Sequence, residues 1–355
     1  MRTCAWAALL LAGLVRAGEP PDRRPHVMIR GIYGGLPTVL MEQGRTLAGS
    51  GVNAVWIGER GITRERVQAL KAQGAKVFAE FNTLHRADYL KEHPEAAPVG
   101  ADGKRAPAPH GWQGICPTHV SYRTWRMEAF RRLLKEHELD GVWLDYHHAH
   151  ASWERAEPAL PDTCFCAGCL ARFEKDTGRK TKDLLGARRD AWVSWRCGVF
   201  TDWVREFRDI LDETRPAALL GTFHCPWSDD ERRGALRSKL AIDLRAQSRF
   251  LDVFSPMPYH ARFGHAEDPA WISRQTKWLG KHLGVKGVVG ERVRIWPIVQ
   301  LADWGEPVPV EQIGTVLDHA TRPPATGVSV FAWGRLRKRP EKVAAMVRFY
   351  RAIGG

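Results

Sequence analysis

Short runs of apolar, β-branched and aromatic residues recur along the chain and predict most of its fold. Each run is six to eight residues long and is bounded by polar or turn-forming residues. This pattern is typical of a buried β-strand. We predict eight strands, over Val27–Tyr33, Asn53–Gly58, Lys76–Phe81, Gly141–Tyr146, Ala218–His224, Leu251–Met257, Val293–Gln300 and Gly327–Trp333.

Segments with helical periodicity separate most of these runs. Arg64–Gln73 places Val67 and Leu70 on one face, and Trp192–Ile210 and Lys342–Ile353 repeat apolar residues every three or four positions. Strands that alternate with helices indicate a parallel sheet with crossover helices. Eight such units, with no remainder the size of a second domain, predict an α/β fold of the (β/α)8 TIM-barrel type. A doubly wound sheet is the alternative.

The spacing between the predicted strands is uneven. The stretches from the third to the fourth strand and from the fourth to the fifth are much longer than the others. Loops that follow the strands lie at the C-terminal face of such a barrel, where barrel enzymes hold their catalytic groups. We therefore predict long insertions after strands three and four, and an active site close to strand four.

Composition and charge narrow the choice of partners. Of the 355 residues, 44% are hydrophobic and 26% are charged, which excludes a disordered chain. The formal net charge of +13 could attract a nucleic acid, an anionic polysaccharide or an acidic cell envelope. The basic residues are scattered along amphipathic helices, as at Arg131 and Arg205, and no basic run is interleaved with aromatic residues. We therefore expect solvated helix faces and no nucleic-acid partner.

The N-terminus has the pattern of a secretory signal peptide. Arg2 precedes the apolar stretch Ala5–Val15, and Val15 and Ala17 occupy positions −3 and −1 of a small-residue cleavage site. This stretch is too short to span a bilayer, which takes ~20 residues, and no other segment is long and apolar enough. We expect residues 1–17 to be removed, residues 18–355 to form one barrel domain, and the protein to be secreted or periplasmic. A retained membrane anchor is the alternative.

Asp145 is the sharpest candidate for a catalytic group. It follows an apolar Val-Trp-Leu run at the end of the fourth predicted strand. A carboxylate there points into the mouth of the barrel instead of the packed interior. A glycosidase needs such a group below the anomeric carbon, as a nucleophile or as a stabiliser of an oxocarbenium-like transition state. The alternative is an aspartate that caps the next loop.

A glycosidase also needs a carboxylic acid that donates a proton. Several acidic residues near strand ends are candidates, and the sequence does not single one out. In falling order of preference they are Asp229, Asp230, Glu80 and Asp303.

Further polar and aromatic residues near strand ends predict contacts to a sugar. Sugar rings stack on aromatic side chains, and their hydroxyls need paired donors and acceptors. With 15 tryptophans in the chain, core packing is the alternative for each tryptophan alone. His147, His148 and His150 could instead form the metal site of a metal-dependent hydrolase. The predicted substrate contacts are His147, His148, His224, Tyr259, His260, Gln300, Asp303 and Trp333.

Four of the six cysteines that follow the leader have the spacing of a metal site. Cys164, Cys166 and Cys169 place three thiols at the start of a predicted helix, and Cys116 lies in the other long insertion. Cysteines in a Cys-x-Cys pair rarely bridge each other, because disulfide geometry is strict. Three close thiols and a distant fourth can form a tetrahedral zinc site, so we predict a structural Zn²⁺. Disulfides, which an exported protein permits, are the alternative.

These cysteines belong to a stretch that resembles the zinc region of glycoside hydrolase family 42 β-galactosidases. The resemblance covers residues 93–178 and rests on three motifs. It implies a structural zinc held by one upstream cysteine, Cys116, and by the Cys-x-Cys-x-x-Cys motif. The motifs are His93-Pro-Glu95, Cys116-Pro-Thr-His-Val-Ser-Tyr-Arg123 and Cys164-x-Cys-x-x-Cys-x-x-x-Phe173.

The catalytic positions of that family differ. The family carries Asn-Glu after strand four and Glu at strand seven, where this chain has Leu144-Asp145 and Gln300. Over most of residues 27–335 the chain is more similar to a group of TIM-barrel proteins classed as glycoside hydrolases, whose fourth strand reads Gly-(Val/Ile)-x-Leu-Asp-Tyr. This resemblance also includes Trp195-Arg196, Ser255-Pro-Met-x-Tyr259 and Trp296-Pro-Ile-Val-Gln300.

Together these observations predict a secreted glycoside hydrolase that cleaves an oligo- or polysaccharide, with Asp145 as nucleophile or stabilising carboxylate and no cofactor for catalysis. A non-catalytic carbohydrate-binding barrel is an alternative, because the sequence does not identify the second acid. A metal-dependent hydrolase that uses the three neighbouring histidines is another.

Overall fold

A single parallel sheet forms the centre of the molecule. The computed structural model describes residues 22–42 and 46–354, so the predicted leader lies outside the described residues. The strands in this part of the chain are β1 (Ile29–Tyr33), β2 (Ala54–Gly58), β3 (Lys76–Asn82), β4 (Gly141–Asp145), β5 (Leu219–His224), β6 (Val253–Pro256), β7 (Arg294–Ile295), β8 (Ile298–Gln300) and β9 (Gly327–Phe331). Their order in the sheet is β7-β6-β5-β4-β3-β2-β1-β9-β8.

The two ends of this sheet meet in one stretch of chain. β7 and β8 are the two halves of the predicted strand Val293–Gln300, interrupted at Trp296-Pro297, because proline has no N–H to donate to a ladder. β7 pairs with β6, and β8 pairs with β9. The Trp296 N–H donates to Phe254 O, and the Ser329 N–H donates to Pro297 O, both at 2.9 Å. The sheet therefore curls into a barrel, which confirms the predicted TIM-barrel fold class.

Helices surround the sheet and connect its strands. No helix of the described residues is long and apolar enough to cross a membrane. The α-helices are α1 (Thr38–Glu42), α2 (Arg64–Ala72), α3 (Ala87–Glu92), α4 (Val120–Glu136), α5 (Ala167–Thr177), α6 (Arg189–Thr214), α7 (Ala235–Ser238), α8 (Leu244–Gln247), α9 (Ala270–Leu283), α10 (Ile313–Ala320), α11 (Trp333–Leu336) and α12 (Pro340–Gly354). Single 3₁₀ turns cover Ala48–Ser50, Glu59–Gly61, Pro94–Ala96, Pro109–Gly111, Glu231–Arg233 and Val310–Gln312.

The two connections beside β4 are long, and they pack against each other. The β3–β4 connection includes α3 and α4, and the β4–β5 connection includes α5 and α6. The Arg123 Nε–H donates to Glu206 Oε2 at 2.7 Å, and the Trp203 indole N–H donates to Pro117 O at 2.9 Å. Both contacts join α6 to the preceding connection, so the two insertions form one layer next to β4.

Large aromatic rings fill the barrel below its mouth. Trp56, Trp143 and Trp296 are buried, with the ring centroid of Trp143 5.2 Å from that of Trp56 and 5.6 Å from that of Trp296. Glycines on the neighbouring strands leave room for these rings. A Cβ at Gly31 would lie 2.2 Å from the Trp56 ring, and one at Gly221 would lie 2.3 Å from the Trp143 ring. The mouth therefore has a close-packed apolar floor.

We predict that Gly221→Ala lowers the free energy of unfolding by about 1–3 kcal/mol, because the added methyl group overlaps the Trp143 ring and a packed core resists extra volume. Denaturant unfolding followed by circular dichroism measures this change. The matched control is Gly198→Ala on α6, where a Cβ meets no atom within 4 Å. There, alanine should be neutral or stabilising. Equal effects of the two substitutions would contradict the packing explanation.

Candidate active site

A cavity opens at the C-terminal ends of the strands; we call it the central cavity. Two acidic side chains line it. Asp145 is the last residue of β4, and Glu154 belongs to the loop that follows. The remaining wall is mostly aromatic or apolar and consists of Tyr33, Trp112, Tyr146, Phe223, Met257, Tyr259, Ile298, Trp304 and Phe331.

Two further spaces adjoin the central cavity. The side cavity is small and is lined by Asp145, Tyr146 and Glu154 together with Arg262. The open cleft is larger and is lined by Tyr146 and Glu80. Because Tyr146 borders all three spaces, its ring lies at their junction, and a long ligand could extend from the central cavity in two directions.

Hydrogen bonds from Thr83, directly after β3, and from the following residue, Tyr146, hold Asp145 in position. Asp145 lies opposite Asn82 in the parallel register. Thr83 donates to Asp145 O from its N–H at 2.9 Å and from its hydroxyl at 2.7 Å. The N–H of Tyr146 donates to Asp145 Oδ1 at 2.8 Å. Only 8% of Asp145 is exposed, so its carboxyl group is held in one place and is largely shielded from water.

Tyr146 has an unusual backbone conformation. Its φ of 51° lies in the left-handed region, which costs a residue other than glycine roughly 1–2 kcal/mol. The ring packs against His85 and Trp112, with centroid distances of 4.9 and 5.3 Å. Conformations of this kind cluster at functional sites, where the surrounding structure enforces them. Here the turn follows directly after Asp145 and places an aromatic ring at the junction of the three spaces.

Glu154 is positioned by a small loop. Ser152 and Ala159 exchange two backbone hydrogen bonds, of 3.0 and 2.9 Å, which close the loop that carries Glu154. The Nε–H of Arg262 donates to Glu154 O at 2.8 Å and ties this loop to the segment after β6. Glu154 therefore lies at the mouth although it belongs to no strand.

Burial raises the pKa of three carboxyl groups at the mouth, and desolvation is the largest cause for each. The pKa of Glu154 rises to about 7, opposed by the charge of Arg262. The pKa of Asp145 also rises to about 7, where the charge of Glu154 adds to the effect and the Tyr146 N–H opposes it. The pKa of Glu80 rises to about 8, with the charge of Asp145 as a further cause. Near neutral pH the mouth therefore holds both protonated and ionised carboxyl groups.

A buried salt-bridge network lies next to Glu80. The side chain of Arg126 is 1% exposed, and its Nη2 donates to Glu59 Oε2 at 2.6 Å and to Asn82 O at 2.7 Å. Arg86 Nη1 donates to Glu59 Oε1 at 2.8 Å. The two guanidinium groups pair with the Glu59 carboxylate and order the C-terminal ends of β2 and β3.

Two of the predicted substrate contacts lie at the mouth. Tyr259 lines the central cavity, and its ring stacks on Phe331 with a centroid distance of 4.9 Å. His148 lines the side cavity, where burial lowers its pKa to about 4. The structure therefore brings both residues close to Asp145, with His148 as a neutral imidazole.

Three predicted histidine contacts are buried outside the three spaces. Successive side chains on a strand point to opposite faces, so Phe223 points into the central cavity and His224 points away from it. His147 and His260 are also held by protein groups. The partners of His147 Nε2, His224 Nδ1 and His260 Nε2 are Phe200 O, Cys225 O and Gln312 Oε1, at 2.9, 2.8 and 3.4 Å.

Gln300, Asp303 and Trp333 stabilise loops at the rim and do not line the three spaces. Each side chain is engaged with other parts of the protein. Gln300 Nε2 donates to Ala302 O at 3.0 Å, Lys342 Nζ donates to Asp303 Oδ1 at 2.6 Å, and the Trp333 indole N–H donates to Leu36 O at 3.0 Å.

The structure does not bring Asp229 and Asp230 to the mouth. Both are exposed, and Asp229 lines a separate surface cavity, where its Oδ2 lies 3.5 Å from His282 Nδ1. The loop after β5 carries them away from the central cavity, so among the described residues Glu154 is the acidic side chain that shares this cavity with Asp145.

The sequence analysis did not identify Glu154, Trp112, Trp304 or Arg262. All four lie outside the strands, where no periodic pattern predicts the direction of a side chain. The available signal was the length of the two connections beside β4, which supply Trp112 and Glu154.

Cys116, Cys164, Cys166 and Cys169 form a sulfur cluster. Their four Sγ atoms lie within 4.8 Å of one another, and Cys116 Sγ is 3.5 Å from Cys166 Sγ and 3.6 Å from Cys169 Sγ. A disulfide requires about 2.05 Å, so these pairs are not bonded. The cluster joins the β3–β4 connection to the β4–β5 connection, and its donor set could hold a metal ion.

Within residues 22–42 and 46–354, no histidine belongs to a group that could hold a metal. Both ring nitrogens of His150 are engaged with loop backbone. Its Nδ1 accepts from the Gly114 N–H at 3.0 Å, and its Nε2 is 2.8 Å from Pro107 O. The geometry of the described residues therefore gives no support to a histidine metal centre.

Solved structures with the same architecture include glycoside hydrolases. The glycoside hydrolase domain of PgaB (BpsB) from Bordetella bronchiseptica matches with a TM-score of 0.66 and 13% identity, over 92% of this chain and 98% of that domain. The β-galactosidase from the psychrophilic Marinomonas ef1 matches with a TM-score of 0.63 and 14% identity, over 91% of this chain and 59% of that one. A catalytic mutant of Gan42B, a GH42 β-galactosidase from G. stearothermophilus, matches with a TM-score of 0.63 and 12% identity, over 94% and 58%.

The fold is that of TIM-barrel glycoside hydrolases. The predicted resemblance is confirmed at this level, because identities this low establish a shared fold and leave function to be argued from the site. This chain spans about three fifths of the length of the two β-galactosidases. No family model matches the sequence, and no curated protein matches it.

We predict that Glu80→Gln stabilises the protein at pH 8 and has little effect near pH 4. The unfolded Glu80 ionises above its usual pKa of 4.5, whereas the folded group keeps its proton until about pH 8. The wild type therefore loses stability as the pH rises between these values, and the glutamine variant does not. We expect the variant to gain about 1–3 kcal/mol between pH 5 and pH 8, measured by urea unfolding.

The control for this series is Glu138→Gln, which neutralises an exposed carboxylate after α4. Its stability relative to wild type should not depend strongly on pH. A Glu80→Gln variant whose stability relative to wild type is constant from pH 4 to pH 8 would show that Glu80 titrates normally.

Proposed function

We propose that the protein hydrolyses a glycosidic bond in an oligo- or polysaccharide, with Asp145 and Glu154 as the two reacting carboxyl groups. The observation that carries this proposal is that both line the central cavity, where burial raises the pKa of each. Glycoside hydrolysis needs one ionised and one protonated carboxyl group flanking the bond. A buried carboxyl group and a partly buried one in the same cavity can supply both forms near neutral pH.

Asp145 suits the role of nucleophile or stabilising carboxylate. The Tyr146 N–H donates to its Oδ1 and favours the ionised form. Its position at the end of β4 holds it still, as attack on an anomeric carbon or stabilisation of positive charge there requires.

Glu154 suits the role of proton donor. Desolvation favours its protonated form, and its loop places it in the wall of the cavity that Asp145 also lines. When Glu154 passes its proton to the leaving oxygen, the nearby positive charge of Arg262 stabilises the new carboxylate.

The walls of the central cavity support a sugar as the substrate. Tyr33, Trp112, Tyr259 and Trp304 offer aromatic faces on which the apolar side of a sugar ring can stack. The open cleft adjoins this space and could hold the neighbouring units of a longer chain. A non-catalytic binding barrel would not need two carboxyl groups with raised pKa values, so we favour hydrolysis.

We predict that Asp145→Asn reduces kcat/KM on a responsive glycan at least about a thousandfold, because the charge that faces the reacting carbon is lost. We predict that Glu154→Gln reduces it about a hundred- to ten-thousandfold on natural glycans. On the 2,4-dinitrophenyl glycoside of the same sugar, Glu154→Gln should lose much less, because this leaving group departs without a proton. Reducing-end release from a polysaccharide panel and dinitrophenolate absorbance are the measurements.

Glu157→Gln is the matched control, since Glu157 is an exposed carboxylate on the same loop and should be dispensable. Circular dichroism confirms that each variant is folded. Wild-type rates in Asp145→Asn would exclude Asp145 as the reacting carboxylate. An equal loss on both substrate types in Glu154→Gln would exclude Glu154 as the proton donor. Binding of a glycan without any hydrolysis would favour the carbohydrate-binding alternative.

We further propose that the sulfur cluster binds one structural Zn²⁺. Four thiolates are a common ligand set for zinc, and a tetrahedron with Zn–S bonds of ~2.3 Å has edges of about 3.8 Å. The observed separations of 3.5 and 3.6 Å are close to that value. A complete set of four protein ligands leaves no position for water or substrate, so the ion would hold the two insertions together and take no part in hydrolysis.

We predict about one zinc ion per chain by elemental analysis, and its loss together with a lower Tm in Cys116→Ser. Cys197→Ser is the control, because Cys197 is a buried cysteine outside the cluster. It should keep the ion. Zinc-free protein recovered from its native compartment, with oxidised thiols, would show that disulfides replace the metal.

We also propose that the chain is exported, with residues 1–17 removed and residues 18–355 forming one barrel domain. The charged, apolar and small-residue segments of the N-terminus support export. An extracellular or periplasmic location would give the protein access to polysaccharides outside the cell.

A further inference from the structure

Three arginines lie close together on one side of the mouth. Arg155 follows Glu154 in its loop, Arg262 follows β6, and Arg335 lies on α11 after β9. None of the three forms a salt bridge with a described carboxylate. On the opposite side of the mouth, the buried arginines beside β2 and β3 are paired with Glu59. On the Arg262 side, three positive charges therefore face one described carboxyl group, Glu154, whose raised pKa leaves it partly protonated near neutral pH.

Arg262 is held in place at the side cavity. Its Nε–H donates to Glu154 O at 2.8 Å, and its Cζ lies 4.5 Å from the centroid of the Trp304 ring. Both residues line the side cavity with Arg262 and Asp145. A guanidinium has five N–H donors, and the four on Nη1 and Nη2 make no hydrogen bond to a described residue. A rigid donor group is therefore available next to the carboxyl pair.

Electrostatics at this position favour an anionic ligand. Burial, followed by the positive charge of Arg155, lowers the pKa of Arg262, and Arg335 adds to this effect against the opposing charge of Glu154. A partly buried charge is stabilised when an oppositely charged ligand pairs with it. The formal net charge of +13 falls to +11 once residues 1–17, with Arg2 and Arg16, are removed, and it adds a long-range attraction for anionic polymers.

We propose that the bound glycan carries an anionic group that enters the side cavity, and that Arg262 binds this group through its two Nη nitrogens. The inference rests on the proposed glycosidase function and adds the substrate class, an acidic glycan. The group is the carboxylate of a uronic acid or a sulfate ester, and a planar guanidinium can bind either with two parallel N–H···O bonds. Trp304 keeps the guanidinium plane in position and offers a face to the sugar ring.

Calorimetric titration of the full Asp145→Asn chain tests this inference, because that variant should bind the glycan probes without cleaving them. The probes are oligogalacturonate, oligomannuronate and sulfated galacto-oligosaccharides. Each is compared with its neutral form, which is carboxyl-reduced for the two uronates and desulfated for the sulfated probe. We expect at least one anionic probe to bind about tenfold or more tightly than its neutral form. Adding Arg262→Gln should remove most of this difference, and Arg262→Lys should retain part of it.

Arg348→Gln is the matched control, because it removes the same charge from an exposed position on α12. It should change the affinity less than twofold. Preference for the uronate probes identifies a carboxylate, and preference for the sulfated probes identifies a sulfate ester. Equal affinity for charged and neutral forms, no binding of any anionic probe, or equal weakening by Arg262→Gln and Arg348→Gln would overturn the inference.

Hydrolysis, measured separately with the wild type, distinguishes the two proposals. If anionic probes bind through Arg262 but no glycan of the panel releases reducing ends, the glycosidase proposal fails and the anionic site stands. If neutral glycans are cleaved but no anionic probe binds more tightly than its neutral form, the glycosidase proposal stands and the anionic site fails.

Discussion

The chemistry of the barrel mouth depends on one interaction. This is the repulsion between two carboxyl groups that share one poorly hydrated cavity. Asp145 and Glu154 lose hydration, and the charge of Glu154 makes ionisation of Asp145 less favourable. The protein offsets this cost with the N–H dipole of Tyr146 at Asp145 and with the positive charge of Arg262 near Glu154. The outcome is a site that can hold a proton and a negative charge together near neutral pH.

The rest of the fold keeps these two groups in place. The tryptophan-filled interior closes the barrel below Asp145 and excludes water from that side. The sulfur cluster joins the connections on either side of β4, and these connections also carry Trp112 and Glu154. Stability of the insertions and geometry of the site are therefore linked, although the cysteines do not line the central cavity.

Periodic and chemically restrictive features of the sequence predicted the fold and part of the site. Alternation of apolar strands with helices predicted the barrel, and the end of the fourth strand identified Asp145 as a mouth residue. The cysteine cluster was predictable because few arrangements suit four thiols. A position at the end of a strand does not say whether a side chain points into the cavity or away from it. At the end of β5, Phe223 lines the central cavity, whereas the neighbouring His224 is held by Cys225 O outside it. Glu154 and Arg262 depend on loop hydrogen bonds between distant segments, which no local pattern encodes.

Carbon-13 NMR titration of the side-chain carboxyl groups tests the central claim most directly. Asp145 is assigned by comparison with Asp145→Asn, and the titration is repeated in Glu154→Gln. The account predicts that Asp145 titrates near pH 7 in the wild type, and that its pKa falls in Glu154→Gln but stays above the usual value, because burial remains. An Asp145 that titrates near its ordinary value of about 3.9, with no response to Glu154→Gln, would contradict the account.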